Sequence, residues 1–381
     1  MDNETDGKTR MGSFVPVAKT AFSTFEPNEL PIRSIRYDDK LIRMISESSL
    51  KIGNLSEAGR RMLNPSLLIR PYLKREAVSS SRIEGTKTTL SDVFKEEAVE
   101  RKRPDDDMNE TLNYEKALYE GISRIDSGER ISSKMLTDLH AILLSGVRGE
   151  DKDPGKFKSD INWIGASHDI MEADFIPCHP SSVQRLIDNL VWYINSCEDD
   201  TSIIRSAVSH YQFETIHPFR DGNGRIGRLL VILFLYQEKI LSQPLLFISP
   251  FFEKHKEEYI NRLRRVSMRG DIEAWLSFFL TAVKEQSTAS LTKIQNLEDL
   301  RRKYEERLKE VSRSSVLIRL LDAIFQNPYL STKRAVNELK IGYSTISYNI
   351  GILERTGIIR EVASSPSKLY YAEEVDNILE M

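Results

Sequence analysis

Between Leu229 and Leu235 every residue is apolar, and the run follows directly on Arg225-Ile-Gly-Arg228. A stretch with no polar face reads as a helix packed inside a core, not one lying on a surface. Its first turn nonetheless carries two arginines, three residues apart and therefore on one face. Charge at the start of a buried helix needs a partner. The residues just upstream, Thr215-Ile-His-Pro-Phe-Arg-Asp-Gly-Asn-Gly224, indicate which kind. Pro218 ends a preceding helix. Gly222 and Gly224 let the backbone approach an anion closely. The helix start adds free N–H groups and a positive partial charge. These features together fit phosphate.

Asp221 is out of place beside an anion unless a divalent cation lies between them, and a carboxylate ligand to Mg²⁺ accounts for it. His217 suits a general base for an attacking hydroxyl, because imidazole titrates near neutrality. Taken singly, each piece has a plainer reading. Two arginines at a helix start are commonly salt-bridge partners, His-Pro a helix stop, and Gly-Asn-Gly a turn. Their conjunction between residues 217 and 228 favours a phosphate site.

Composition limits the alternatives. A net charge of -3 over 381 residues leaves no global polycation, so bulk nucleic-acid binding is not indicated. The two cysteines, Cys178 and Cys197, form no Cys-x-x-Cys pair, which argues against a disulfide framework or structural zinc. The opening Met-Asp-Asn-Glu-Thr-Asp lacks the pattern of a signal peptide, and no apolar run is long enough for a membrane span. A cytoplasmic setting without membrane contact is the expectation.

The periodicity is mainly helical, which predicts a mainly α fold. Residues 1–30 read as an irregular, extended arm. The Gly- and Pro-rich stretch 145–180 is the β-like exception before the C-terminus, with Ile161-Asn-Trp-Ile164 and Phe175-Ile176 as a small hairpin. Mixed charge over 291–311 reads as a solvated connector. The expected organisation is an N-terminal helical region 1–107, a catalytic core 108–290, a helical connector 291–313 and a C-terminal domain 314–381.

At the 217–228 motif the sequence resembles the Fic family, whose signature is His-x-Phe-x-Asp/Glu-Gly-Asn-Gly-Arg-x-x-Arg. Every fixed position is matched, by His217, Phe219, Asp221, Gly222, Asn223, Gly224, Arg225 and Arg228. The resemblance implies a Fic-type helical core, a Mg²⁺–ATP donor, and AMP transfer to a Ser, Thr or Tyr hydroxyl of a target protein or of the chain itself. By it, His217 is the base and Asp221 holds the metal. Gly222, Asn223, Gly224, Arg225, Gly227 and Arg228 form the ATP and phosphate site, with Tyr259 on the adenine side. A related branch that moves a phosphoryl group has lysine in place of Gly224. Asn162-Trp-Ile-Gly165 is similar to the family's flap, which holds the target by strand addition. Ser80, Glu84 and Gly85 match its inhibitory motif, in which Glu84 pairs with Arg228 and turns ATP into an unproductive pose.

Residues 314–381 carry the pattern of a winged helix-turn-helix, with strands at Ile358–Val362 and Lys368–Tyr371 around Ser364–Ser367. Residues 331–372 hold six Lys/Arg and three Asp/Glu, but no Arg or Lys leads the second helix. DNA and a homodimer therefore stand as open partners. Two alternatives accompany the transferase reading. One is a nucleotide-sensing DNA-binding regulator; the other is an AMP-removing hydrolase that uses Glu84.

Overall fold

The computed structural model describes residues 8–62, 65–99, 105–167, 169–362 and 368–380. Ser364–Ser367, His168 and most of the charged loop 100–107 lie outside them.

The chain begins with a sheet where an irregular arm was expected. β1 (Lys8–Thr9), β2 (Gly12–Pro16) and β3 (Ser23–Pro27) form an antiparallel meander. Pro16 and Pro27 end their strands, where a missing N–H costs little. The sheet is held by tertiary contacts more than by its own pattern. Phe25 is fully buried, its ring packs edge-on against Phe14 and tilted against Phe175, and its N–H donates to Ile176 O at 2.8 Å.

Helices follow: α1 (Asp39–Arg61), α2 (Pro65–Ile83), α3 (Leu90–Val99), α4 (Asp106–Asp126) and α5 (Ser133–Leu143). Asp38, Asp105 and Ser132 cap α1, α4 and α5 by accepting a backbone N–H three residues on. Then come α6 (Pro180–Ser196), α7 (Ser202–Ile216), α8 (Asn223–Gln237), α9 (Ser249–Lys254), α10 (Lys256–Arg269) and α11 (Ile272–Val311). α8 is the predicted apolar helix. Leu229 to Leu235 are all buried, and α2, α4, α5 and α7 surround it.

The hairpin expected at 161–176 reduces to one antiparallel pair. Ile164 and Phe175 each donate an N–H to the other's carbonyl, at 2.8 and 3.1 Å. Pro177 follows directly on Ile176 and brings no N–H to lengthen the ladder. The stretch expected to be a solvated connector is the second half of α11. Its Ile294, Leu297, Leu300, Tyr304 and Leu308 recur at helical spacing and are buried. The mixed charges occupy only its other faces.

The last segment comprises α12 (Ser315–Gln326), β4 (Tyr329–Ser331), α13 (Thr332–Leu339), α14 (Tyr343–Arg355), β5 (Arg360–Glu361), β6 (Leu369–Tyr371) and α15 (Glu373–Glu380). The sheet order is β4-β6-β5, and α12, α13 and α14 precede β5 and β6. β4 and α15 were not foreseen. This module sits on α2 and α3. Asn327 Nδ2 donates to Phe94 O (3.0 Å) and Glu97 (2.9 Å), and Lys74 and Arg334 flank the same Glu97. Arg75 of α2 and Lys293 of α11 both donate to Leu379 O near the end of α15. Among the described residues no helix is long and apolar enough to cross a membrane.

Candidate active site

α7 stops at Ile216 because His217 takes a left-handed conformation, φ 49°, with its N–H on Phe213 O. A residue other than glycine is held there at some cost in strain. His217 Nδ1 lies 3.2 Å from Glu214 O. A carbonyl only accepts, so Nδ1 carries the proton and Nε2 keeps its lone pair. The ring lines a cavity of about 630 Å³. Burial pushes its pKa down to about 4, and the charge of Lys158 adds to the effect, so His217 is neutral at physiological pH.

The motif loop is closed by its own side chains. Asn223 accepts the Phe219 N–H and donates to Phe219 O, both at 2.8 Å. Phe219 stacks on His140 with ring centroids 3.8 Å apart. His140 Nδ1 accepts the Gly155 N–H (2.9 Å), so its Nε2 donates to Asp221 O (2.9 Å). Gly222, φ 75°, turns the chain into α8, whose start has no side-chain cap. The first N–H groups of α8 are thus left for an anion. At Gly224 an added Cβ would lie 2.8 Å from Arg228 Nη1 and run into the Glu84 carboxylate. The glycine makes room for both.

Arg228 is buried, and its hydrogen bonds run to α2 and the turn after it. Nε donates to Ser80 Oγ (2.8 Å), and Nη2 to Ser80 O (2.9 Å) and Glu84 Oε1 (2.6 Å). Burial alone would raise the Glu84 carboxyl, but the charge and hydrogen bond of Arg228 hold it below the usual carboxylate range. Gly85, φ 110°, follows immediately and lets the chain turn away. Ser80, Glu84 and Gly85 are therefore brought to Arg228, and a carboxylate covers the start of α8.

Two residues expected at the phosphate face elsewhere. Arg225 is almost wholly buried, with Nη1 on Glu110 Oε2 (3.1 Å) and Nη2 on Asp221 Oδ1 (3.5 Å). Arg148 holds Glu110 from the other side at 2.6 Å. Arg225 thus braces the Asp221 turn. Gly227 faces α7, where an added Cβ would meet Glu214 and Phe213, and its carbonyl accepts from His210 Nδ1. It allows close helix packing. Tyr259 lines the cavity, stacks on Phe252 and donates its O–H to His210 Nε2 at 2.8 Å.

Asp221 is the metal candidate. Its side chain is 44% exposed and its Oδ1 accepts the Gly222 N–H. Among the described residues no group of three His, Cys, Asp or Glu is placed to hold an ion by itself. One carboxylate fits Mg²⁺ that takes its other ligands from phosphate and water.

In the flap, Ile164 lines the cavity, Gly165 follows at φ 153°, and Trp163 is 36% exposed with Nε1 on Ser167 O. Asn162 turns inward. Its Nδ2 donates to His217 O (3.2 Å) and Phe219 O (2.8 Å), and its Oδ1 accepts from Lys158 Nζ (2.7 Å). Lys158, His140, Glu110 and Glu214 were not singled out from the sequence. Of these, Glu214 lines the cavity with one carboxyl oxygen buried and unpartnered, and burial pushes its pKa up to about 8.

Two family models match this chain: "Fic/DOC family N-terminal" over residues 42–123 and "Fic/DOC family" over residues 130–235. These two stretches match the Fic/DOC family. Within it, the chain is 29% identical over 196 residues to a probable protein adenylyltransferase of Aquifex aeolicus, a match covering 50% of this chain and 54% of that protein. It is 26% identical over 176 residues to the protein adenylyltransferase Fic of Aedes aegypti, covering 45% of this chain and 32% of the mosquito protein. The match thus spans about half or less of these curated relatives. The solved structure of a Fic family protein from Desulfovibrio desulfuricans shares the fold, with TM-score 0.59 at 20% identity over 89% of this chain and 97% of its own.

Proposed function

We propose that the protein transfers AMP from ATP to a serine, threonine or tyrosine hydroxyl of a target protein, or of itself, and that Glu84 restrains it. The observation that carries this reading is His217, with Nε2 unprotonated, in the same cavity as Gly224 and Arg228 at the uncapped start of α8. The names of the relatives, protein adenylyltransferases, support it.

The target segment lies along the Ile164 edge of the flap, and its hydroxyl faces His217. Nε2 takes the hydroxyl proton while the oxygen attacks the α-phosphorus. The new phosphoester bond forms as the α–β bridging bond breaks and pyrophosphate leaves. N–H groups of Gly224 and its neighbours, with Arg228, hold the phosphates. Asp221 would hold Mg²⁺, which neutralises phosphate charge. With Glu84 on Arg228, that guanidinium is withheld from the far phosphate, and the donor is not lined up with the acceptor.

Incorporation of label from ATP carrying it on the α-phosphate, but not on the γ-phosphate, tests the reaction. The transfer must disappear in His217→Ala. Label from the γ-position would instead make the protein a kinase. Release of AMP from a modified target, lost in Glu84→Gly, would favour a hydrolase, for which the same Glu84 is available. DNA is not part of the proposal. Tyr343 and Tyr348 stand exposed on α14, but Lys340 precedes that helix and Arg355 ends it, so its middle offers no cation to phosphate.

A further inference from the structure

Four successive carbonyls of the strained turn are held from one side. Ile216 O accepts from Lys158 Nζ at 3.2 Å and His217 O from Asn162 Nδ2 at 3.2 Å. Pro218 O accepts from the Lys158 backbone N–H at 2.8 Å and Phe219 O from Asn162 Nδ2 at 2.8 Å. Lys158 Nζ also donates to Asn162 Oδ1 at 2.7 Å, which leaves the amide nitrogen pointing at the turn. Both residues belong to the root of the flap, ahead of Ile164.

Lys158 is an odd choice for packing alone. It is 4% exposed, and its side-chain partners are an amide oxygen and a backbone carbonyl, not a carboxylate. A buried ammonium without a counter-ion is costly, and burial pushes its pKa down to about 8. What the position offers is the carbonyl end of α7, where a cation is favoured by the helix dipole. Cys178 Sγ donates to the same Ile216 O, so that carbonyl is fully engaged. A methionine would fill the space as well and would hold nothing.

We infer that Lys158, acting through Asn162 and the carbonyls of residues 216–219, is a positioning residue that holds His217 in its left-handed turn with Nε2 in the cavity. The flap that receives the target and the base that activates it are then one mechanical unit. This inference rests on the proposed AMP transfer. It goes further in assigning a role to a residue that meets neither ATP nor acceptor.

The test uses the full chain with Glu84→Gly as parent, and compares Lys158→Met, Lys158→Arg and Asn162→Ala. Lys158→Met is expected to lower kcat for α-label incorporation by about 100-fold, the scale of an ångström-sized misplacement, with ATP affinity unchanged. Lys158→Arg recovers part of the loss. Long-range ¹H–¹⁵N spectra of the histidines are expected to show His217 as a single Nδ1–H tautomer in the parent and as a mixture in Lys158→Met. Asn162→Ala reports on the same clamp where Lys158→Met does not fold. An unchanged kcat and tautomer in either folded variant overturns the inference, as does a loss of kcat that follows a loss of ATP binding. If the Glu84→Gly parent incorporates no label, the transfer reading fails separately, and the tautomer spectra still decide whether the clamp acts on His217.

Discussion

Replacing Glu84 by glycine removes the carboxylate that pairs with Arg228 while leaving that arginine anchored. Nε and Nη2 keep their bonds to Ser80 Oγ and Ser80 O, so the guanidinium stays where a phosphate would need it. What is lost is a charge-assisted hydrogen bond of 2.6 Å. Such bonds contribute about 1.5–3 kcal/mol. ATP must displace this contact before its far phosphate reaches Arg228, so the same amount opposes the productive pose. At about 1.4 kcal/mol per tenfold, the range corresponds to roughly 10- to 100-fold in rate. The Glu84 side chain is 38% exposed, and solvent screening places the expectation at the lower end, about tenfold. Glu84→Gln loses the ion pair but keeps a hydrogen bond from the guanidinium to the amide oxygen, and should release only part of this. The assay is the initial rate of incorporation from α-labelled ATP at a fixed, subsaturating concentration. A Glu84→Gly rate no higher than wild type, with ATP demonstrably bound, would refute the argument that this contact is the restraint.

Three further outcomes are expected. With His217 held at about 4, the unprotonated base persists well below neutrality, so incorporation should be flat between about pH 5 and 7 and fall only below that window; an acid limb near the ordinary histidine value would contradict the burial argument. Glu214, raised from 4.5 to about 8, contributes stability that is present below the unfolded value and lost as pH rises through the folded one. Glu214→Gln should therefore gain on wild type by up to about 4–5 kcal/mol at pH 8.5 and by little at pH 4.5, read as the difference in Tm at the two pH values. In Gly121→Ala the new Cβ would lie 2.6 Å from Leu233 Cδ1 where α4 crosses α8; overpacking of about 1–2 kcal/mol should outweigh the gain in helix propensity, and denaturant unfolding measures it.

The motif was legible because its parts are local: loop, glycines and helix start follow one another in the chain, and the structure keeps that order. What escaped depends on distant partners. Arg225 looks like a phosphate ligand until α4 brings Glu110 against it. Asn162 looks like a target contact until the flap root folds back onto residues 216–219. β2 and β3 are too short to show alternation, and their stability comes from Phe25 meeting Phe175. Glu84 and Arg228 were joined beforehand through family resemblance, since no spacing rule pairs residues 144 apart.

α2 touches the C-terminal module from its middle and the Arg228 cavity from its last turn. Arg75 meets the Leu379 carbonyl and Lys74 shares Glu97 of α3 with Arg334, and about two turns on Ser80 and Glu84 meet Arg228. A helix is stiff over that length, so its seat in the module and its grip on the arginine share one equilibrium. Thermodynamic linkage then applies whatever the module binds. A ligand there that shifts α2 alters ATP affinity by some factor, and ATP must alter that ligand's affinity by the same factor.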